Sequence, residues 1–125
     1  MIDSIDHFVI TVADLEKTLD FYERVLGMQR VVAPGRPTAL TFGQQKINVH
    51  AVDRTFEPKA LHPTSGSADF CLVSGFSPAE IERHLQACGV SIELGPVERT
   101  GARGRMTSFY FRDPDGNLIE VSNYA

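Results

Sequence analysis

In this chain of 125 residues a strand–helix–strand pattern is written twice, and a duplicated pattern has few ways to fold. His7-Phe8-Val9-Ile10-Thr11 opens the first copy, and Asp69-Phe70-Cys71-Leu72-Val73 opens the second, 62 positions on. A helical stretch follows each opening and ends at a glycine 20 positions later, Gly27 and Gly89. Self-similarity of this kind implies one supersecondary unit used twice. The two copies carry residues of metal-ligand type, His7 and Asp69, at equivalent places.

The elements follow from periodicity and punctuation. Ile5–Val12 alternates and is β-branched, which predicts a strand. Asp14 offers a helix N-cap, Leu15, Leu19, Tyr22 and Leu26 recur at helical spacing, and Gly27 stands where a C′ glycine belongs. Gln29–Val32 and Ala39–Phe42 are short strands around Pro34-Gly35-Arg36-Pro37, and Lys46–Val52 is a longer one. Residues 53–67, with Pro58, Pro63 and Gly66, form a linker in which Phe56 and Leu61 are expected to pack down.

The second copy begins with a strand at Ala68–Val73. Ser77-Pro78-Ala79-Glu80 carries the signature of a capping box with proline at N1. Ile81, Leu85 and Cys88 give the following helix its apolar stripe. Strands are predicted at Ile92–Leu94, Thr107–Arg112 and Leu118–Asn123, with Asp113-Pro114-Asp115-Gly116 as the turn before the last. Setting Ile47-Asn48-Val49-His50 against Asn117-Leu118-Ile119-Glu120 gives an offset of 70 and about eight extra residues in the second copy, assigned to a loop at Glu98–Arg105. The expected class is α+β: two tandem βαβββ modules, 1–52 and 68–125, joined by the linker 53–67.

Composition narrows the functions. A net charge of −4 lacks the basic stripe of a nucleic-acid-binding protein. No apolar run is long enough to span a membrane, and Met1-Ile2-Asp3-Ser4 does not resemble a signal peptide. The expectation is a cytoplasmic protein with no nucleic-acid or membrane partner. Cys71 and Cys88 lack metal-like spacing and are expected to be buried free thiols.

Three segments carry a resemblance: Asp6-His7-Phe8-Val9-Ile10-Thr11-Val12, Leu19-Asp20-Phe21-Tyr22-Glu23-Arg24-Val25-Leu26-Gly27-Met28, and Phe109–Glu120 with its Asp-Pro-Asp-Gly-Asn-Leu-Ile-Glu ending. Together they resemble the vicinal oxygen chelate superfamily of glyoxalase I, fosfomycin-resistance proteins, bleomycin-binding proteins and extradiol dioxygenases. Asn48-Val49-His50 and Phe56–Pro63 are similar to a small stand-alone glyoxalase-domain branch with a virulence-associated bacterial member. The resemblance implies a curved, open mixed sheet with helices on its convex face and a divalent metal on the other. It also implies a homodimer with shared sites and a small-molecule substrate bound through adjacent oxygens.

Alternation puts His7, Val9 and Thr11 on one strand face and Phe8, Ile10 and Val12 on the other. Asp69 and Cys71 oppose Phe70 and Leu72 in the same way, His50 opposes Ile47 and Val49, and Glu120 opposes Ile119 and Val121. His7, His50, Asp69 and Glu120 are therefore the expected metal ligands. Two imidazoles and two carboxylates suit zinc, nickel, cobalt, manganese or ferrous iron. Glyoxalase I has two histidines and two glutamates at the four positions; here the types are exchanged, and Glu120 is the catalytic candidate. Asp69 alternatively orients a histidine. Arg103, Arg105 and Tyr110 are candidate substrate contacts, with Arg99 a third arginine in the same loop. His62 and His84 are expected to be exposed. A lyase or isomerase of glyoxalase type is the leading expectation. A ring-cleaving dioxygenase and a non-catalytic antibiotic-binding protein of the bleomycin-resistance type are the alternatives.

Overall fold

Alternating apolar residues at the start of each copy form strands, as the pattern predicts. The computed structural model describes residues Met1–Tyr124 and divides into two units, Met1–Ser67 and the chain from Ala68 onward. In the first unit β1 (His7–Val12) leads into α1 (Leu15–Leu26), then β2 (Gln29–Val31), β3 (Thr38–Phe42) and β4 (Gln45–Ala51). In the second, β5 (Asp69–Val73) leads into α2 (Pro78–Ala87), then β6 (Leu94–Gly101), β7 (Gly104–Arg112) and β8 (Leu118–Tyr124). Each unit holds its own open four-stranded sheet, ordered β1-β4-β3-β2 and β5-β8-β7-β6. First and last strands pair in parallel and the rest antiparallel, so the α+β class and the βαβββ repeat are both present.

The helix boundaries obey the local chemistry. Asp14 accepts from the Lys17 amide, and Gly27 closes α1 at φ 67°, a left-handed conformation that costs an L side chain strain. Ser77 and Glu80 form the reciprocal capping box at the start of α2. Leu19, Tyr22 and Val25 of α1 are buried, as are Ile10, Val12, Leu40, Ile47 and Val49 on one face of the first sheet. Ile81 and Leu85 of α2 and Phe109, Phe111, Ile119 and Val121 form the second core. Each such side chain contributes on the order of 1.5–3 kcal/mol by leaving water. One face of each sheet therefore carries the helix, and the opposite face is helix-free.

Residues 98–105 are not a loop. Instead β6 and β7 form a hairpin in which Glu98 pairs with Thr107, Arg99 with Met106, Thr100 with Arg105, and Gly101 with Gly104. The expected strand at Ile92–Leu94 gives way to Leu94–Gly101. The reason is physical: β6 lies at the sheet edge and exposes Glu98, Arg99 and Thr100, so it lacks the apolar alternation that signals a strand. Gly101 is required by close approach, since a Cβ there would meet the Tyr124 hydroxyl at 2.5 Å and collide with the Met106 methyl. Cys71 is exposed and Cys88 half-buried, both free, which corrects the expectation of buried thiols.

A polar clamp fixes where β8 begins. Asp113 Oδ1 accepts from the amides of Asp115 and Asn117, each at 2.9 Å, and Asn117 Nδ2 donates to Asp113 Oδ2 at 2.7 Å. Asn117 Oδ1 in turn accepts from the Ala68 amide at 2.9 Å, tying the chain before β5 to the chain before β8. Asn117 is 1% exposed. Asn117→Ala is expected to cost about 2 kcal/mol or more of folding stability, because the Ala68 amide and Asp113 Oδ2 lose the bonds the Asn117 side chain makes. Urea unfolding of the two proteins would measure the difference.

Candidate functional site

Glu120 sits in the middle of its sheet, paired with Cys71 of β5 on one side and Tyr110 of β7 on the other. Its side chain lies on the helix-free face with those of Ser108 and Ser122. Ser108 Oγ donates to Glu120 Oε2 at 2.6 Å and Ser122 Oγ to the same oxygen at 3.1 Å. The two hydroxyls lie 2.6 Å apart, and both serines are fully buried. Oε2 is thus held by two hydroxyls. Cys71 Sγ lies 3.2 Å from Ser122 Oγ. Although the residue is exposed overall, partial desolvation of its thiol raises the pKa, and the Ser122 hydrogen bond offsets part of the rise. The protonated form is favoured, so Cys71 is a weak nucleophile. Asp69 stands two pairing positions before Glu120 on the same face.

In the first unit His7 Nδ1 lies 2.7 Å from Asp6 Oδ2. A carboxylate on Nδ1 selects the tautomer whose Nε2 lone pair is open, the arrangement common for histidines that ligate metals. Asp6 was not among the sequence candidates, and neither were Ser108 and Ser122. Their roles arise from neighbours that become adjacent only by strand pairing or by local rotamer choice.

The pairing register changes one expected ligand. His7 pairs with Lys46, and Asp69 pairs with Leu118, so the last strands correspond at an offset of 72 rather than 70. Ten extra residues lie in the second copy before β8, one of them in the β7–β8 turn and the rest before it, where the hairpin β6–β7 is longer. The counterpart of Glu120 is Asn48, not His50. Matching the apolar flanks, Ile47-Asn48-Val49 with Ile119-Glu120-Val121, is the sequence signal that finds this register. His50 pairs with Thr11, four positions along β1 from His7, or roughly 13 Å at the rise of a strand. One ion cannot be held by both. Among the described residues no three His, Cys, Asp or Glu side chains form a ready metal cluster.

His50 is instead buried, with its ring centroid 5.3 Å from that of Phe56. Burial, and secondarily the charge of Lys59, lowers its pKa, so the ring is neutral. Asn48 Oδ1 and His50 Nδ1 are both buried with no hydrogen-bond partner. The linker therefore does pack down at Phe56, while Leu61 is exposed. His62 and His84 are exposed, as expected.

The arginines also separate. Arg99 Nε donates to Tyr110 Oη at 3.0 Å, with its guanidinium 5.5 Å from the centre of that ring. Arg99 pairs with Met106, which places it on the same face as Tyr110 and Glu120. Arg103 stacks 4.3 Å over Tyr124, whose hydroxyl accepts from the Arg103 amide. Arg105 lies on the other face, 3.5 Å from Glu98. Of the three, Arg99 stands nearest Glu120 in the pairing order, through Tyr110.

The model of the Glyoxalase/Bleomycin resistance protein/Dioxygenase superfamily matches residues 4–121. Virulence protein STM3117 of Salmonella typhimurium is 51% identical over all of this chain and 87% of that protein. Its crystal structure superposes with a TM-score of 0.97 at 50% identity, covering 100% of this chain and 99% of that one. The glyoxalase domain-containing protein RDO1 of Mycosarcoma maydis is 53% identical over 97% of this chain and 68% of its own length. Metallothiol transferase FosB of Shouchella clausii is 29% identical over 97% of this chain and 80% of that protein.

The His50 environment makes a pH prediction. Its ring should titrate below the ordinary histidine value of about 6.5, followed by nitrogen-detected NMR. As pH falls through that ordinary value the unfolded chain takes up the proton first, so stability present above it is lost toward the lower folded value. His50→Phe should remove that part of the acid destabilisation, measured as urea midpoints across the range.

Proposed function

The chain belongs to the Glyoxalase/Bleomycin resistance protein/Dioxygenase superfamily, and on that premise we propose that it is a metal-dependent enzyme of glyoxalase type. Its reaction is of lyase or isomerase class, on a small oxygenated substrate. The residues we assign to a divalent ion are His7 in the first unit and Asp69 and Glu120 in the second. One imidazole and two carboxylates fit manganese, ferrous iron, cobalt, nickel or zinc. The observation that carries the reading is the preparation of two of these donors before any ion arrives. Asp6 holds His7 by Nδ1, and Ser108 and Ser122 hold Glu120 by Oε2. Such supports fix ligand orientation and basicity. The name of the related metallothiol transferase is consistent with metal use in this family.

The ion, when bound, supplies Lewis acidity toward a substrate carbonyl or hydroxyl oxygen. The chain's own residues supply position and proton transfer. Glu120 is the proton acceptor we assign, and its carboxylate would serve the ion and the substrate proton in turn rather than together. Asn48, at the place of the other family glutamate, is a neutral amide and takes no proton. Glu120 therefore works without a second carboxylate base at that place. Tyr110 and Arg99 contact substrate, and the guanidinium receives an anionic group such as a carboxylate. Arg103 and Arg105, engaged with Tyr124 and Glu98, take a lesser part.

A ring-cleaving dioxygenase needs two histidines beside one carboxylate, and the register leaves only His7 in place. Among the described residues no helix is long and apolar enough to cross a membrane, and the cytoplasm is the compartment we assign. The working form is a homodimer, which light scattering on the eluting protein would show as twice the chain mass.

Divalent manganese, cobalt, nickel or zinc should raise the melting temperature of metal-stripped protein, and calorimetry should give one ion per chain. His7→Ala and Glu120→Gln should abolish that response, while Ser108→Ala should weaken affinity by about 10–100-fold without unfolding the chain. Absence of heat and of any thermal shift with every ion would refute metal-dependent catalysis.

A further inference from the structure

Two polar atoms of the first unit have neither solvent nor partner, Asn48 Oδ1 and His50 Nδ1. Folded chains rarely tolerate such atoms, since an unmade hydrogen bond in the interior costs free energy with nothing in return. Here two of them share one strand and one helix-free face, two positions apart. His50 is 4% exposed, opposite Thr11 at 7%, and Phe56 lies against its ring.

The atoms specify what would satisfy them. Asn48 Oδ1 only accepts, so the incoming group must donate. A neutral imidazole offers one N–H and one acceptor nitrogen. Residues two apart on a strand are separated by about 7 Å at the backbone. Their side chains share one face, and one atom that both donates and accepts serves the pair. A hydroxyl does so, donating to Asn48 Oδ1 and accepting from His50 Nδ1–H. A carboxylate has no proton for Asn48, and an ammonium would add a charge near Lys59, whose field already acts on His50.

We propose that Asn48 and His50 form a binding subsite for the uncharged hydroxyl group of a small ligand, with Phe56 against the ligand's apolar part. The subsite uses none of the residues assigned to the ion, and it stands or falls apart from the metal reading.

The test is an NMR titration of isotope-labelled full-length protein in chelator, with benzyl alcohol and benzyl methyl ether as probes. The ether keeps the ring and the oxygen but has no proton for Asn48. The alcohol should move the Asn48 side-chain amide and the His50 ring nitrogens saturably, and the ether should bind at least about tenfold more weakly. His50→Phe should abolish this preference and raise the melting temperature, because it removes unpaired nitrogens and keeps a ring of similar size. Asn48→Leu, a second variant, should do the same. Equal response to both probes, no saturable shift, or shifts confined to other residues would overturn the proposal. So would a preference for the alcohol that survives in a folded variant.

Discussion

The parallel pairing of first and last strand in each unit is the contact on which every functional placement depends. A parallel neighbour cannot be reached by a tight turn, so the helix and two further strands are spent on the crossover. The register reached at its end decides which side chains face which. In the second unit that register is pinned by Asn117, which bonds both the Asp113 carboxylate and the Ala68 amide. From it follow the pairing of Cys71 with Glu120 and of Glu120 with Tyr110, and hence the two serines on one carboxylate oxygen. A slip of one residue would turn Glu120 into the core and Ile119 out of it.

The two helix-free faces treat their polar groups differently. On the second, Glu120, Ser108, Ser122 and Cys71 form one hydrogen-bonded network. On the first, Asn48 and His50 keep unpaired atoms in the interior. A satisfied network rigidifies a site, and an unsatisfied pair makes room for a ligand group at a cost in stability. The duplicated unit has thus diverged at equivalent places. One copy holds a carboxylate in readiness, and the other holds a neutral amide at the same register position.

Much of the fold was legible because its signals are local. The Asp14 and Ser77 caps, the Gly27 terminus and the alternation of Phe8, Ile10 and Val12 depend on residues within a few positions of each other. The hairpin at Leu94–Gly101 was not legible, because an exposed edge strand has no apolar rhythm. Arg105 looked like a partner of Arg99 in a flexible loop, yet alternation within the hairpin sends them to opposite faces.

By itself the sequence determined the repeat, the two helices with their caps, the class of fold and the identity of His7, Asp69 and Glu120 as polar residues on strand faces. These rest on spacing and backbone preference, which act along the chain. The tertiary structure decided between the apolar-flank match, which sets Asn48 against Glu120, and the match that sets His50 there, since a parallel register is fixed by long-range pairing across a crossover of unequal length. Tertiary structure likewise decided which carboxylate oxygen of Glu120 is held. Hydrogen bonds between residues as far apart as Cys71 and Ser122 form only once the sheet has closed their separation.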